Sequence, residues 1–162
     1  MTESLQSAQS LQTLQTLLDH AARERDATLA ALTQAEDQCR RLREQLLQLQ
    51  AYHADYRART PGQSGHAVAI EQLRSHHAFM QRLDQALGQQ QGLLGGADAH
   101  VALQRQSLLE RETRVASVRK LIERRTQEQQ RSTTRREQQR SDEAATRRQW
   151  RDSANSRLPM SH

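Results

Sequence analysis

One spacing of residues runs unbroken from Leu11 to Tyr56 and decides what this chain can become. Alternating steps of three and four pick out Leu11, Leu14, Leu18, Ala21, Arg25, Thr28, Leu32, Ala35, Cys39, Leu42, Leu46, Leu49, His53 and Tyr56, of which only Arg25, Thr28 and His53 are clearly polar. A heptad of this kind keeps one apolar stripe on one side of an α-helix, and a partner helix has to cover the stripe. The composition leaves little room for anything else. The 162 residues include four Val, two Ile and four aromatic side chains, against 24 Gln and 24 Lys plus Arg. Sheets draw on β-branched and aromatic residues, whereas Gln, Arg, Ala and Leu are helix formers.

The spacing predicts a first helix from about Leu5 to Arg59, because no Pro or Gly precedes Pro61. Turn formers at 60–65 end it, and a second helix is predicted from about His66 to Trp150, with a weaker seam of Leu83, Leu87, Leu94, Ala97, Val101, Leu108, Val115, Val118 and Ile122. A short connection between two long helices implies an all-α fold, a long antiparallel two-helix coiled-coil hairpin over residues 1–151 with a disordered tail at 152–162. Gly88, Gly92, Gly95 and Gly96 each cost a helix ~1 kcal/mol relative to Ala. They mark the place for a kink or break, and a three-helix arrangement is the alternative to a continuous second helix. If residue 59 lies opposite residue 66, Leu11 falls near residue 114 and about 35 residues of the second helix project beyond the first.

Charge is uneven. Residues 1–110 hold 10 Arg and 12 acids, whereas residues 111–151 hold 13 Arg plus Lys and 6 acids, a net +7. Beyond Ile122 no large apolar residue appears until Trp150. A basic helix with nothing to bury is shaped for a partner, and its readings are a solvated helix with local pairs such as Glu123 with Gln127 and Glu137 near Arg140, an acidic protein partner, or nucleic acid. Interleaved acids and the lack of a recognised binding motif put nucleic acid last.

Several classes are excluded or disfavoured. The lone Cys39 allows no internal disulfide and no CxxC motif. No stretch of 18 apolar residues and no secretory leader pattern occurs, so the expectation is a cytoplasmic protein without a transmembrane segment. His76 and His77 point about 100° apart on a helix and do not chelate one ion together, so no metal or cofactor is expected. No phosphate loop or nucleophile elbow is present, and the chain is not expected to be an enzyme.

Two matched stripes stand out. Gln45, Leu49, Tyr52 and Tyr56 fall at i, i+4, i+7 and i+11, and Phe79, Leu83, Ala86 and Gln90 repeat that spacing after the turn. Leu49, Tyr56 and Leu83 also fit the seams and are expected in the core, whereas Tyr52 and Phe79 sit beside the seams, where a solvent-facing patch would form. The segments Leu49-Gln50-Ala51-Tyr52-His53-Ala54-Asp55-Tyr56 and His76-His77-Ala78-Phe79-Met80-Gln81-Arg82-Leu83, with the closing Val118-Arg119-Lys120-Leu121-Ile122-Glu123-Arg124-Arg125, resemble the FliJ family of flagellar type III export proteins over roughly residues 8–151.

The resemblance implies a stalk that enters the hexameric flagellar export ATPase (FliI type) and links it to the export gate platform protein (FlhA type), with export chaperones as further partners. It would act at the inner face of the cell membrane through the export apparatus. It also implies gate binding by Gln45, Leu49, Tyr52, Tyr56, Phe79, Leu83, Ala86 and Gln90, the last where the family can carry a His. The basic segment with Arg124, Arg125, Arg131, Arg135 and Arg136 would bind the ATPase ring. An injectisome stalk protein and an Arg-rich helical nucleic-acid binder are the alternatives.

Overall fold

The computed structural model describes residues 2–61 and 69–155. They form two long helices, α1 (Thr2–Ala58) and α2 (Ile70–Asn155), with no strand among the described residues. The fold is the all-α helical hairpin implied by the spacing. Of the predicted turn, residues 62–65 lie outside the described residues, as do the His66 start of the second helix and the part of the tail beyond Asn155. Helix α2 extends past Trp150 through Asn155, so the first residues assigned to the tail are helical.

The chain divides into two compact units, Ala22–Thr113 and a second one made of Met1–Ala21 with Arg114–His162. Within Ala22–Thr113 the helices run antiparallel. As α1 advances through Glu24, Glu36, Arg43, Gln45, His53 and Tyr56, its partners on α2 recede through Arg111, Arg105, Asp98, Gln90, Asp84 and Phe79. The register differs from the one expected of a tight turn. That register would set Glu36 opposite Gln89, whereas its carboxylate accepts a hydrogen bond from Arg105 at 2.7 Å. The offset exceeds what the connection alone gives: Tyr56, two residues from the end of α1, stacks on Phe79, nine residues into α2. Placing Leu11 near residue 114 rested on the tighter turn and is withdrawn with it.

The ends of the helices are capped locally. The carbonyls of the last turn of α1 have no partner within the helix. Those of Asp55 and Tyr56 accept from the Arg59 amide at 3.2 Å, and that of Arg57 accepts from the Thr60 hydroxyl at 2.7 Å. At the start of α2 the Ala69 carbonyl accepts from Gln72 and Leu73, and Glu71 lies in the first turn, where a negative charge suits the helix dipole.

The core of Ala22–Thr113 is narrow. Leu32, Ala35, Cys39 and Val101 are buried together, with Leu94, Ala97 and Leu108 packed against them. Every predicted seam position of α1 from Leu11 to His53 is buried or half-buried, and Tyr56 alone is exposed. The seam of α2 contains polar steps that the apolar count passes over. Gln90, Gln104 and Arg111 fill the gaps between Leu87, Leu94, Val101, Leu108 and Val115, and all three are half-buried. In the second unit Ala21, Val115 and Val118 are buried and Leu11, Leu14, Leu18, Ile122 and Gln129 half-buried, after which residues 130–153 are all exposed.

Helix α2 passes without interruption through Gly88, Gly92, Gly95 and Gly96. These glycines are exposed, while Leu87, Gln90, Leu94 and Ala97 between them keep the seam covered. Contact with α1 therefore holds the helix where intrinsic propensity is poor. A Cβ added at any of the four would meet nothing within 4 Å. Replacing Gly92 or Gly95 by Ala should thus stabilise the hairpin by about 0.5–1 kcal/mol each, since the gain comes from a less disordered unfolded chain and better propensity. Urea denaturation followed by circular dichroism measures it, and a loss of stability at either site would show that the outer face of this segment is not open.

Candidate partner-binding surfaces

The two stripes meet across the helices near the connection. Tyr56 on α1 and Phe79 on α2 pack ring to ring, centroids 4.4 Å apart and planes tilted by 37°. Both remain 41% exposed, and Tyr52, one heptad beyond Gln45 on α1, is 64% exposed. The other stripe residues face inward to different degrees. Leu83 is buried, Leu49 and Ala86 are half-buried, and Gln45 is exposed. Gln90 is tied to α1: its amide donates to the Leu42 carbonyl at 3.0 Å and to the Gln45 side-chain oxygen at 3.1 Å. Leu49 and Leu83 are thus part of the packing, as expected, whereas Tyr56, expected in the core, lies at its edge and presents part of its ring to solvent.

Polar contacts hold this end in register. His53 occupies a seam position and bonds Asp84 at 2.8 Å, and the His76 ring donates to the Tyr56 carbonyl at 3.1 Å. The first links α1 to α2 directly beside the aromatic pair; the second satisfies a carbonyl in the last turn of α1. Neither feature is visible as an apolar signal, although His53 and His76 both fall on the three-four spacing once polar residues are allowed. Among the described residues no group of three His, Cys, Asp or Glu side chains is placed to hold a metal ion.

The basic segment is of another kind. Arg124, Arg125, Arg131, Arg135 and Arg136 are all exposed on α2, past the last apolar seam residue Ile122. Arg124 and Arg131 are seven residues apart and Arg131 and Arg135 four, so these three share one side of the helix. Local pairs occur along it, Arg125 with Glu128 at 3.8 Å and Arg147 with Glu143 at 3.4 Å. Such exposed pairs contribute little, typically below about 1 kcal/mol. No described helix is long and apolar enough to cross a membrane.

The family model described as flagellar FliJ protein matches residues 10–154. The chain belongs to the FliJ family. No curated protein and no solved structure matches it. The family assignment covers both stripes and the basic segment of this FliJ-family chain.

A further polar contact lies inside the seam. The buried Cys39 thiol donates to Asp98 at 2.7 Å, and Arg43 approaches the same carboxylate oxygen at 3.4 Å. The bond to Asp98 pushes the thiol pKa up, burial and the Asp98 charge add to this, and Arg43 and Arg105 oppose it. A raised pKa in the folded state means that the contribution to stability is present below the ordinary thiol value of 9.0 and is lost as pH rises through the folded value. The melting temperature should therefore fall more steeply above about pH 9 in the wild type than in Cys39→Ala. At lower pH the thiol should alkylate slowly until urea unfolds the hairpin. Parallel alkaline profiles for the two proteins would contradict the assignment.

Proposed function

We propose that this chain is a non-enzymatic, cytoplasmic component of the flagellar type III export apparatus, the central stalk of the export ATPase ring and its link to the export gate. The observation that carries the reading is the helix over residues 130–153, which continues after the last apolar seam residue Ile122 and is exposed at every position. Helices of such composition are marginal in water unless something supplies contacts. A ring of subunits with a negatively lined channel supplies both contacts and opposite charge. In this reading Arg124, Arg125, Arg131, Arg135 and Arg136 pair with ring carboxylates, favoured by the forked geometry of the guanidinium.

The aromatic surface supports the second half of the reading. Tyr52, Tyr56 and Phe79 offer ring faces held by a rigid helix pair, the kind of side chain that dominates protein interfaces. Gln45, Leu49, Leu83, Ala86 and Gln90 position these rings and line their surroundings. Here the platform protein of the export gate docks, and export chaperones are further partners that the apparatus brings near.

Two measurements separate the halves. Tyr52→Ala with Phe79→Ala should weaken binding to the gate protein by about 2 kcal/mol or more while helicity is retained. Loss of helicity in this variant would instead assign the rings to the core. Removing residues 130–162 should abolish stimulation of the export ATPase yet leave gate binding intact. Undiminished stimulation, or a stronger preference of the intact chain for DNA than for the ATPase at physiological salt, would remove the stalk role from this helix.

A further inference from the structure

The seam within Ala22–Thr113 is not uniform. Its middle section, Leu32 to Leu49 on α1, packs Leu32, Ala35, Cys39, Leu42, Leu46 and Leu49 inward, and every one is buried or half-buried. At the limit of the unit the consecutive seam positions Arg25 and Thr28 are polar, and on α2 Gln104 and Arg111 are polar with Leu108 between them. The bond Arg111 to Glu24 puts Arg111 beside Arg25 and Thr28, whereas Gln104, next to the Arg105 that bonds Glu36, lies toward Ala35 in the apolar section.

The two polar seam residues of α1 are held within their own helix. Arg25 turns to its neighbour Asp26, with contacts of 2.8 and 3.0 Å, and the Thr28 hydroxyl donates back to the Glu24 carbonyl at 2.9 Å. Arg111 crosses to Glu24 at 2.7 Å. Arg25 keeps 29% of its side chain exposed and Arg111 38%, so separation restores water to groups already part-solvated. The middle section has no such compensation: opening it would expose Leu32, Cys39 and Val101 to water. A half-buried ion pair gains little over apolar packing of the same volume.

We propose that this polar section is a built-in opening point of the hairpin, at which α1 and α2 part locally while the apolar seam from Leu32 to Leu49 stays closed. It is a conformational device written as three polar residues at seam positions, Arg25, Thr28 and Arg111, and it stands independently of the partners assigned above.

Hydrogen exchange on the intact chain tests it. Amides of residues 26–31 on α1 should exchange about tenfold or more faster than those of residues 35–46 on the same helix. Arg25→Leu combined with Arg111→Leu should bring protection of the first window up to that of the second and raise Tm. Equal protection in the wild type, or lower protection in this variant, overturns the proposal. Because two added leucines invite self-association, Arg111→Gln supplies a second measurement: it removes the charge that crosses to Glu24 and should accelerate exchange in the first window alone. A uniform acceleration of both windows would also overturn the proposal.

Discussion

A two-helix pairing has one stripe per helix to hide, and everything else in this protein depends on how that stripe is filled. A globular core surrounds a side chain from all directions; here a seam residue meets only one opposing helix. The residues buried below one tenth exposure are correspondingly small or slender: Ala21, Ala35, Cys39, Val101, Val115 and Val118, joined by Leu32 and Leu83. Close approach of the helices favours this choice, and it leaves long side chains at the flanks to tie the pair together. Glu36 with Arg105 and Arg43 with Asp98 are such ties, reaching across the seam from one helix to the other. No buried side-chain nitrogen or oxygen among the described residues is left without a partner, so the polar seam positions cost less than they would in a closed core.

The same openness explains what was legible in the sequence. In α1 the three-four spacing identified the buried stripe almost residue by residue, because period alone decides which face of a helix is covered. In α2 the stripe was seen only in part. Gln90, Gln104 and Arg111 occupy seam positions, and a search for apolar residues steps over them even though the spacing runs straight through. Register was not legible at all, since periodicity repeats along each helix and the same spacing still fits when one helix slides past the other by a heptad. The continuous second helix follows the same logic: propensity is a property of an isolated helix, and Gly88 to Gly96 are carried by the contacts of Leu87, Leu94 and Ala97.

For the two candidate surfaces the outcome differs. The basic segment is plain in the sequence because large apolar residues cease between Ile122 and Trp150, and burial ceases soon after Ile122, at Gln129. The aromatic stripes are harder. Phe79 and Leu83 are one turn apart and equally apolar, yet one is 41% exposed and the other 8%. The difference arises from the phase of each residue relative to the seam, and the opposing helix fixes that phase. Tyr56 shows the limit of the rule: it holds a seam position by spacing, but so near the end of α1 its opposing residue is the ring of Phe79, and neither ring is covered from outside.

Position 90 then acquires a meaning that the matched stripes did not suggest. Its spacing groups Gln90 with Phe79, Leu83 and Ala86, but its amide is engaged by the Leu42 carbonyl and the Gln45 side chain. A residue so held contributes to the pairing of α1 with α2 before it contributes to any surface, and Gln45, as its partner, shares that role. The side chains that present exposed ring surface here are Tyr52, Tyr56 and Phe79, of which only Tyr52 has no stacking partner on the opposing helix. The exposed aromatic surface at this end of the hairpin is therefore one projecting ring set beside a stacked pair, with the polar contacts of Gln90, His53 and His76 between the helices beside it.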